Sequence, residues 1–405
     1  MEFDLKGLSR EERGRLLARK SGISKTELGW SVPSQTDNNL YLVRFDGCGP
    51  TCNCKDYQIR DVKCKHIHAV EFHIMREVDK NGSVTVTKKV MYSQKWTAYN
   101  TSQTNEKLVL MKLLKDLASN VKQPEYKFGR PTLPFSDMVF GSVMKIYSTF
   151  SLRRFISDMK IAKEMGLVDK VPCYSTISNF MNREELTSIL RQLIQLSSLP
   201  LKEVEEDFAI DSSGFSTSRF ARWFDHKWGK ETKYRVWIKA HLCSGVKTNI
   251  VTSVEITEGT EHDTKQLPAL IQETAKNFNL SEVSADKAYS SKKNLALIDE
   301  AGAVPFILFK KNATDKRVGS YIWKKMYHYF MYKHDEFLNH YHKRSNAETV
   351  FHMIKTKFKG DLRSKCKTAQ INELLCKVLC HNICVIIQEI MELGIKAEFQ
   401  MEISN

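Results

Sequence analysis

Three regimes of apolar and polar spacing follow one another along the chain and predict its secondary structure. In the first 95 residues, the capping-box pair Ser9 and Glu12 predicts a short basic helix, and strand-like alternation follows over residues 29–45. Helical spacing over residues 69–75, a strand-like run over residues 84–90 and helical spacing over residues 106–117 come next. Three prolines and a glycine between Val121 and Pro134 then predict a linker.

The second regime, residues 136–199, is almost wholly helical, and an α/β mixture begins beyond Glu203. Strands are predicted at residues 208–210, 234–241, 248–256, near 283 and at 304–308. Ser244 and Gly245 predict a hairpin turn between the second and third of these strands. Helices are predicted at residues 264–278, with Asp263 and Gln266 as a capping box, at residues 292–301, around Glu348 and at the C-terminus.

These patterns predict an α/β domain preceded by a small α+β domain, a helix with a linker and a helical region. The predicted boundaries are a small α+β domain at residues 1–95, a helix and linker at 96–135, a helical region with a helix-turn-helix at 136–203, an α/β domain at 204–395 and a tail at 396–405.

Composition narrows the class of protein. A hydrophobic content of 42% in 405 residues is enough for two or three packed domains, and the formal net charge of +15 predicts a polyanionic partner. Nucleic acid is favoured over a membrane surface because no apolar run approaches the ~20 residues of a spanning helix. Ten cysteines, several beside histidine, favour metal ligation or core packing in a reducing, intracellular compartment.

Four soft donors form two tight pairs near the N-terminus. Cys52-x-Cys54 and Cys64-x-His66 offer the sulfur and imidazole ligands that tetrahedral Zn²⁺ prefers, so we expect one structural zinc ion. Cys48 and His68 are substitutes for one ligand, and the alternative is a pair of reduced cysteine motifs beside a chance histidine. The pattern, with a preceding strand, resembles the SWIM zinc finger, which implies binding of DNA or protein.

Two aspartates each follow an apolar strand. Asp211 comes directly after Phe208-Ala209-Ile210, and Asp286 follows Val283 and Ala285, so each carboxylate is expected where its strand ends. Hard Mg²⁺ or Mn²⁺ ions take such oxygens, and two-metal sites need several that converge. For either aspartate alone, a strand-ending turn residue is the alternative.

A third acidic residue belongs to the pattern Tyr-x2-Arg-x3-Glu-x6-Lys. On one continuous helix, Tyr341, Arg344, Glu348 and Lys355 would project within an arc of roughly 60°. An adjoining arc carries Ala347, Phe351, Ile354 and Phe358, which predicts a buried face. Glu348 is therefore expected between core and cleft, with a cation on either side.

With these motifs the chain resembles insertion-sequence transposases of the DDE superfamily, in the group marked by the Tyr-Arg-Glu-Lys signature. Asp211, Asp286 and Glu348 match its three acidic motifs, although Ala288 stands where members often have glycine. The resemblance implies an RNase H-like mixed sheet flanked by helices, in which these three residues are catalytic and hold two Mg²⁺ (or Mn²⁺) ions. It also implies cleavage of double-stranded DNA at the ends of an insertion sequence, strand transfer to target DNA and a homo-oligomer in the active complex. We expect a cytoplasmic, DNA-associated protein of a prokaryotic cell, without a membrane partner.

Contacts with DNA are predicted at two places. Arg344 and Lys355 are expected to bind phosphates, and Tyr341 to stack or hydrogen-bond there, with a solvated helix face as the alternative. In the helix-turn-helix, the residues expected to face DNA are Ser175, Thr176 and Asn179, with plain helix packing as the alternative. His262-Asp263 also resembles the family, and helix capping by Asp263 is preferred over an approach to the metals.

Two other functions remain open at this point. One is a non-catalytic, zinc-dependent DNA-binding regulator derived from a transposase, which the intact acidic motifs oppose. The other is an RNase H-like nuclease that cuts DNA without joining strands.

Overall fold

The computed structural model describes residues 9–20, 22–34, 39–45, 49–80, 95–125, 128, 132–217, 237–310, 313–315, 320–397 and 399. The chain divides into two compact units. The first unit comprises residues 1–88, 290–299 and 305–342, and the second comprises residues 89–289, 300–304 and 343–405. The strand predicted over residues 84–90 lies outside the described residues.

The first unit contains a small antiparallel sheet and helices. Its elements are α1 (Arg10–Lys20), β1 (Ser24–Thr26), β2 (Gly29–Pro33), β3 (Leu40–Phe45), β4 (Pro50–Cys52), α2 (Lys55–Arg60) and α3 (Lys65–Lys80), with strand order β1-β2-β3-β4. The predicted capping box opens α1, because the Ser9 hydroxyl accepts from the Glu12 N–H and the Glu12 carboxylate accepts from the Ser9 N–H. The predicted hairpin is also present, as β2 pairs with β3 in antiparallel register.

The second unit begins with helices that enclose one long apolar helix. They are α4 (Trp96–Ser119), α5 (Phe135–Tyr147), α6 (Leu152–Glu164), α7 (Tyr174–Phe180) and α8 (Glu184–Ser198). Leu114, Phe140 and Leu190, from three of these helices, belong to one core with Leu379 of the C-terminal helix. That last helix, Lys367–Leu393, is long and apolar enough to cross a membrane by length and composition, but 78% of its apolar window is buried inside the protein. It is therefore the central core helix of this unit.

A mixed sheet follows in the second unit. Its strands are β5 (Asp207–Ser216), β6 (Trp237–Gly245), β7 (Val251–Glu258) and β8 (Glu282–Ala285), in the order β7-β6-β5-β8. β6 pairs with both β5 and β7 in antiparallel register, whereas β5 and β8 pair in parallel register. Val304 opens β9 (Val304–Ile307) and donates its N–H to the Ser281 carbonyl beside β8. The predicted class, a mixed α/β sheet flanked by helices, is confirmed.

The remaining helices complete the chain. They are α9 (Leu267–Ala275), α10 (Lys292–Glu300), α11 (Tyr321–Tyr332), α12 (His334–Tyr341), α13 (Ser345–Phe358) and α14 (Lys367–Leu393). One turn prediction is wrong: Ser244 and Gly245 lie inside β6, and the connection to β7 is residues 246–250. Buried Glu205 accepts hydrogen bonds from the backbone N–H groups of Lys247 and Thr248, so a carboxylate outside the hairpin fixes where it turns.

Candidate active site

Two parallel strands bring Asp211 and Asp286 side by side. The last paired residues of β5 and β8 are Ile210 and Ala285, and each aspartate is the next residue in its strand direction. Neighbouring strands lie about 4.8 Å apart, so both carboxylates leave the sheet at the same edge. The sheet register thus brings together residues that are 75 positions apart in the sequence (286 − 211).

The expectation that β5 ends at Asp211 is wrong. The strand continues to Ser216 because residues 211–216 remain paired with β6 after β8 has ended. Alternate residues of a strand face opposite sides of the sheet, so Ala209, Asp211 and Ser213 share one face while Ser212 lies on the other. Asp211 and Ser212 therefore contact different groups, on opposite faces of the sheet.

Helix α13 lies on the Asp211 face of β5 and carries Glu348. Ala347 packs with Ala209 in a small buried cluster, and Lys355 donates a 2.7 Å hydrogen bond to the Ser213 hydroxyl two turns further on. Glu348 is adjacent to Ala347 and retains 53% exposure of its side chain. It therefore lies at the border of core and solvent, near Asp211, as its helical position predicts.

Arg344 links the first and third carboxylates. Its Nη2 lies 2.8 Å from Glu348 Oε1, and its Nη1 lies 3.7 Å from Asp211 Oδ2. The side chain of Asp211 is only 18% exposed. Burial raises the pKa of Asp211 to about 6, and the negative charges of Glu348 and Asp286 act in the same direction, against its hydrogen bond with Ser212 and the Arg344 charge. Asp211 and Glu348 thus share one guanidinium, and the charge of Asp286 acts on Asp211 from beside them.

The helix signature is divided between elements. Tyr341 ends α12, Arg344 ends the 3-10 turn His342–Arg344, and Glu348 and Lys355 lie on α13, so the prediction of one continuous helix is wrong. Tyr341 is buried. The Lys355 ammonium, which also binds the Ser213 hydroxyl, lies 5.0 Å from the centroid of the Phe215 ring. Burial lowers the pKa of Lys355. Of the four signature residues, Arg344, Glu348 and Lys355 share the Asp211 face of the second unit.

Asp263 does not cap a helix. A 3-10 turn, Asp263–Lys265, precedes α9, and neither has a side-chain hydrogen bond at its N-terminal cap. The Asp263 carboxylate instead accepts from the Ser212 hydroxyl at 3.0 Å and from the Lys239 ammonium at 2.6 Å. Because Ser212 faces away from Asp211, Asp263 braces the opposite side of β5.

Sequence reasoning missed a buried network beside Asp263. His241 is fully buried, with Nε2 2.9 Å from the Thr257 hydroxyl and Nδ1 3.3 Å from the Tyr289 hydroxyl. Tyr289 follows Asp286 by three residues, and its N–H donates to the Asp286 carbonyl. Burial lowers the pKa of His241 to about 4, so the imidazole is neutral at pH 7. The Asp-x-x-Tyr spacing offered a signal, but only the sheet register places a histidine against that tyrosine.

We expect His241→Gln to flatten the acid dependence of stability. A histidine with a pKa near 6.5 unfolded and about 4 folded stabilises the protein fully above pH 6.5, and this contribution is lost as pH falls toward 4. The loss reaches about 1.4 kcal/mol per pH unit. Urea unfolding at pH 4–7 gives the free energy of unfolding of wild type and variant at each pH. The difference between the two proteins measures the loss due to His241, because contributions common to both, including that of Asp211, cancel.

His352→Gln is the control, since this histidine lies on the exposed side of α13. It should keep the wild-type slope. An unchanged slope in His241→Gln would mean that folding does not lower the pKa of His241.

The four predicted zinc ligands lie together in the first unit. One donor atom from each of Cys52, Cys54, Cys64 and His66 lies within 4.8 Å of the others, and all four residues are buried. His66 Nδ1 is 3.9 Å from both the Cys52 and the Cys64 sulfur, close to the ligand separations of about 3.5–3.8 Å that zinc bond lengths give in a tetrahedron. Stacking on Tyr41, at 4.1 Å between ring centroids, holds the imidazole in this orientation.

Of the two substitute ligands, only His68 lies within the described residues, and it does not join this cluster. Cys48 lies outside the described residues. His68 directs Nδ1 toward Glu71 Oε2, at 3.5 Å. A hydrogen bond from Cys52 lowers the pKa of the Cys64 thiol to about 4, which favours the thiolate that zinc binds. The donor set therefore fits one tetrahedral zinc ion.

The predicted helix-turn-helix has its two helices but a long connection. Nine residues, 165–173, separate α6 from α7, whereas the motif normally has a turn of three or four residues. Ser175, Thr176 and Asn179 are exposed on α7, and Ile177 and Phe180 are buried behind them. The three residues are therefore accessible, and their contact with DNA stays a prediction.

Comparison with known proteins gives independent support for two of these regions. Residues 202–383 match the family model of the transposase DDE domain, and residues 37–75 match that of the SWIM zinc finger. The "Probable transposase for insertion sequence element ISA1214" of Archaeoglobus fulgidus is 26% identical over 212 residues. The alignment covers 52% of this chain and spans 62% of the relative's length.

The first match includes β5, β8 and α13 with all three acidic residues, and the second includes all four zinc donors. Residues 202–383 are thus similar to a transposase DDE domain, and residues 37–75 are similar to a SWIM zinc finger. A probable insertion-sequence transposase is among the chain's relatives.

Proposed function

We propose that this protein is a DNA transposase that binds the ends of an insertion sequence, cleaves strands there and joins them to target DNA. The observation that carries the proposal is the convergence of Asp211, Asp286 and Glu348 at one sheet edge, with Arg344 between two of them. This is a set of hard oxygen donors at the border of a buried sheet and solvent. The chain's net charge of +15 favours the same polyanionic partner.

The three carboxylates fit a site for two Mg²⁺ or Mn²⁺ ions. Two of the three acids share the Arg344 guanidinium, and the raised pKa of Asp211 reflects burial without full charge compensation. Two bound ions would lower the pKa of the attacking oxygen and stabilise charge on the leaving one. Asp211 and Asp286 would hold them on the rigid sheet edge, and Glu348 would hold them from α13.

The remaining polar residues would position DNA. Lys355 places an ammonium two turns from Glu348 on the same face of β5, where a phosphate next to the cut would lie. Arg344 would exchange its carboxylate contacts for a bidentate contact with phosphate as the acids take up metal. In hydrolysis, water oxygen attacks phosphorus and the bond to the 3′ oxygen breaks, which leaves a 3′-hydroxyl for attack on target DNA.

An assay on plasmid DNA tests this proposal. A supercoiled plasmid carrying the DNA that flanks this reading frame should yield excised or integrated products in Mg²⁺, with 3′-hydroxyl ends at the cuts. Products that are cut but never joined would identify a nuclease without strand transfer. Binding of the same DNA without any cleavage in Mg²⁺ or Mn²⁺ would identify a non-catalytic regulator, and both results contradict the proposal.

Joining two ends in one event implies a homo-oligomeric complex on double-stranded DNA, which we include in the proposal. Sedimentation of the protein with end DNA should then give a complex with at least two chains. The exposed residues Ser175, Thr176 and Asn179 of α7 are proposed to contribute to end recognition. The proposed setting is a DNA-associated protein in the cytoplasm of a prokaryotic cell.

We expect Lys355→Ala to weaken DNA binding by about five- to tenfold at 0.1 M salt, because one phosphate contact is lost. The slope of log affinity against log salt should fall by about 1. Fluorescence anisotropy at several salt concentrations measures both quantities. Lys276→Ala removes an exposed lysine, paired with Glu273, near the end of α9 and should change neither; equal effects of the two variants would count against a DNA contact at Lys355.

A further inference from the structure

A second cluster of potential metal ligands lies in the first unit, apart from the zinc finger donors. Glu71 of α3, Asp315 of the loop before α11 and His328 of α11 each place one donor atom within 4.8 Å of the other two. Nothing in the proposed reaction uses these residues. The Glu71 and Asp315 side chains are only 12% and 20% exposed, so two carboxylates are largely removed from water.

His328 is the observation that points to a ligand. The residue is 8% exposed, and its buried Nε2 atom has no hydrogen-bond partner among the described residues. This atom lies 3.5 Å from Asp315 Oδ2, so the imidazole is directed into the carboxylate pair. Burial of a polar nitrogen without a hydrogen bond is unfavourable, and coordination to a cation would give this atom a partner.

Lys63 supplies the positive charge in the structure. Its ammonium lies 2.6 Å from Glu71 Oε1 and also contacts Asp315 Oδ2. One ammonium leaves two carboxylates with a net negative charge, and as a pure donor it cannot accept a hydrogen bond from an imidazole N–H. The Lys63 side chain is 21% exposed, so rotation of its flexible stem can carry the charge into solvent.

We propose that Glu71, Asp315 and His328 form a second Zn²⁺ site, in which the ion takes the place of the Lys63 ammonium. One imidazole nitrogen and two carboxylate oxygens are zinc ligands, and such three-ligand sites leave a fourth position for water. Donor atoms around zinc lie about 3.3–3.5 Å apart, and those of the cluster lie within 4.8 Å of one another, so it has to contract by up to about 1.5 Å. The two positive charges of the ion balance the negative charges of the two carboxylates.

Outer contacts already orient one of the ligands. The Tyr332 hydroxyl donates to Glu71 Oε1 at 3.2 Å, and His68 Nδ1 lies 3.5 Å from Glu71 Oε2. Hydrogen bonds of this kind fix the orientation of ligating carboxylates in metal sites. A bound ion would cross-link α3, which begins at the zinc finger donors, with the loop at residues 313–315 and with α11.

The test is the zinc content of the full chain. After equilibrium dialysis against buffered Zn²⁺ with excess Mg²⁺ to occupy the three-carboxylate site, wild type should contain two zinc ions per chain, and His328→Gln and Asp315→Asn should each contain one. Asp335→Asn is the matched control, because Asp335 is an exposed residue of α12 that pairs with Lys25. This variant should still contain two zinc ions. Cobalt substitution monitors the finger separately, since thiolate charge-transfer absorption arises only from cysteine ligands and should be equal in all four proteins.

Lys63→Met separates the zinc site from a simple ion-pair network. Removal of the competing ammonium should tighten zinc binding at the second site at least tenfold and raise Tm in the presence of zinc. One ion per wild-type chain, with Lys63→Met unable to bind a second, would overturn the proposal and leave the cluster as an ion-pair network only. Two ions in His328→Gln would overturn it as well.

Discussion

Glu348→Gln should abolish strand cleavage, with a loss of at least about 10³-fold in rate, or about 4 kcal/mol in activation free energy. Glutamine keeps the size of the side chain and removes the negative charge that a hard divalent ion needs. Glu348 is half exposed and forms an ion pair with Arg344, so the fold should survive its neutralisation. The measurement is the rate of strand cleavage on end-containing plasmid in Mg²⁺, beside the urea midpoint and zinc content of the variant.

The matched control is Glu185→Gln, at an exposed position in the first turn of α8. It removes the same charge from the same unit and should retain full activity. Unchanged cleavage by Glu348→Gln, with a normal control, would remove Glu348 from the site and with it the three-carboxylate arrangement. A loss of cleavage with intact DNA binding is the expected result, because Glu348 is assigned to metal and not to phosphate.

Cys64→Ser should unfold the zinc finger, and this is the largest stability effect that we expect. Cys64 is fully buried, and its sulfur lies 3.9 Å from His66 Nδ1 at the centre of the donor cluster. Structural zinc contributes about 10–16 kcal/mol of binding free energy in small fingers, and serine is a much poorer ligand than thiolate. Limited proteolysis within residues 49–80, together with the loss of cobalt–thiolate absorption, measures the effect.

Cys173→Ser is the control, because that cysteine is exposed at the start of α7 in the second unit. It should leave both the proteolysis pattern and the cobalt spectrum unchanged. A strong chelator added to wild type should reproduce the Cys64→Ser pattern. A protease-resistant Cys64→Ser finger without thiolate absorption would show that packing alone, including the Tyr41–His66 stack, holds this region together.

Active-site chemistry should also depend on how the two faces of β5 are held. Asp211 and Ser213 meet α13, whereas Ser212 meets Asp263. Asp207 and Glu282 are paired at the N-terminal ends of β5 and β8, away from Asp211 and Asp286. Lys343 bridges their carboxylates at 2.7 Å from each. Although burial lowers the pKa of Lys343, these two carboxylates raise it overall, so a protonated bridge locks the parallel pair that positions Asp211 and Asp286.

The sequence by itself determined the candidate residues and the class of each region. The Cys-x-Cys and Cys-x-His pairs, the two aspartates after apolar strands and the Glu348 pattern are local signals, because ligand type, strand burial and helical spacing are properties of short segments. Most helix and strand positions were predicted for the same reason. The errors arose where contacts between distant segments outweighed a local preference. Asp263 binds Ser212 and Lys239 and does not cap a helix. The predicted turn at Ser244-Gly245 is replaced by strand pairing of β6 with β7.

Only the tertiary structure decided which of those residues meet. The parallel register of β5 with β8 sets Asp211 beside Asp286, and the packing of Ala347 on Ala209 brings Glu348 to them. The same holds for the Tyr289–His241 contact and for Glu71, Asp315 and His328, which come from separate parts of the chain. Contacts between distant segments depend on strand register and helix packing, and neither is encoded in the spacing of nearby residues.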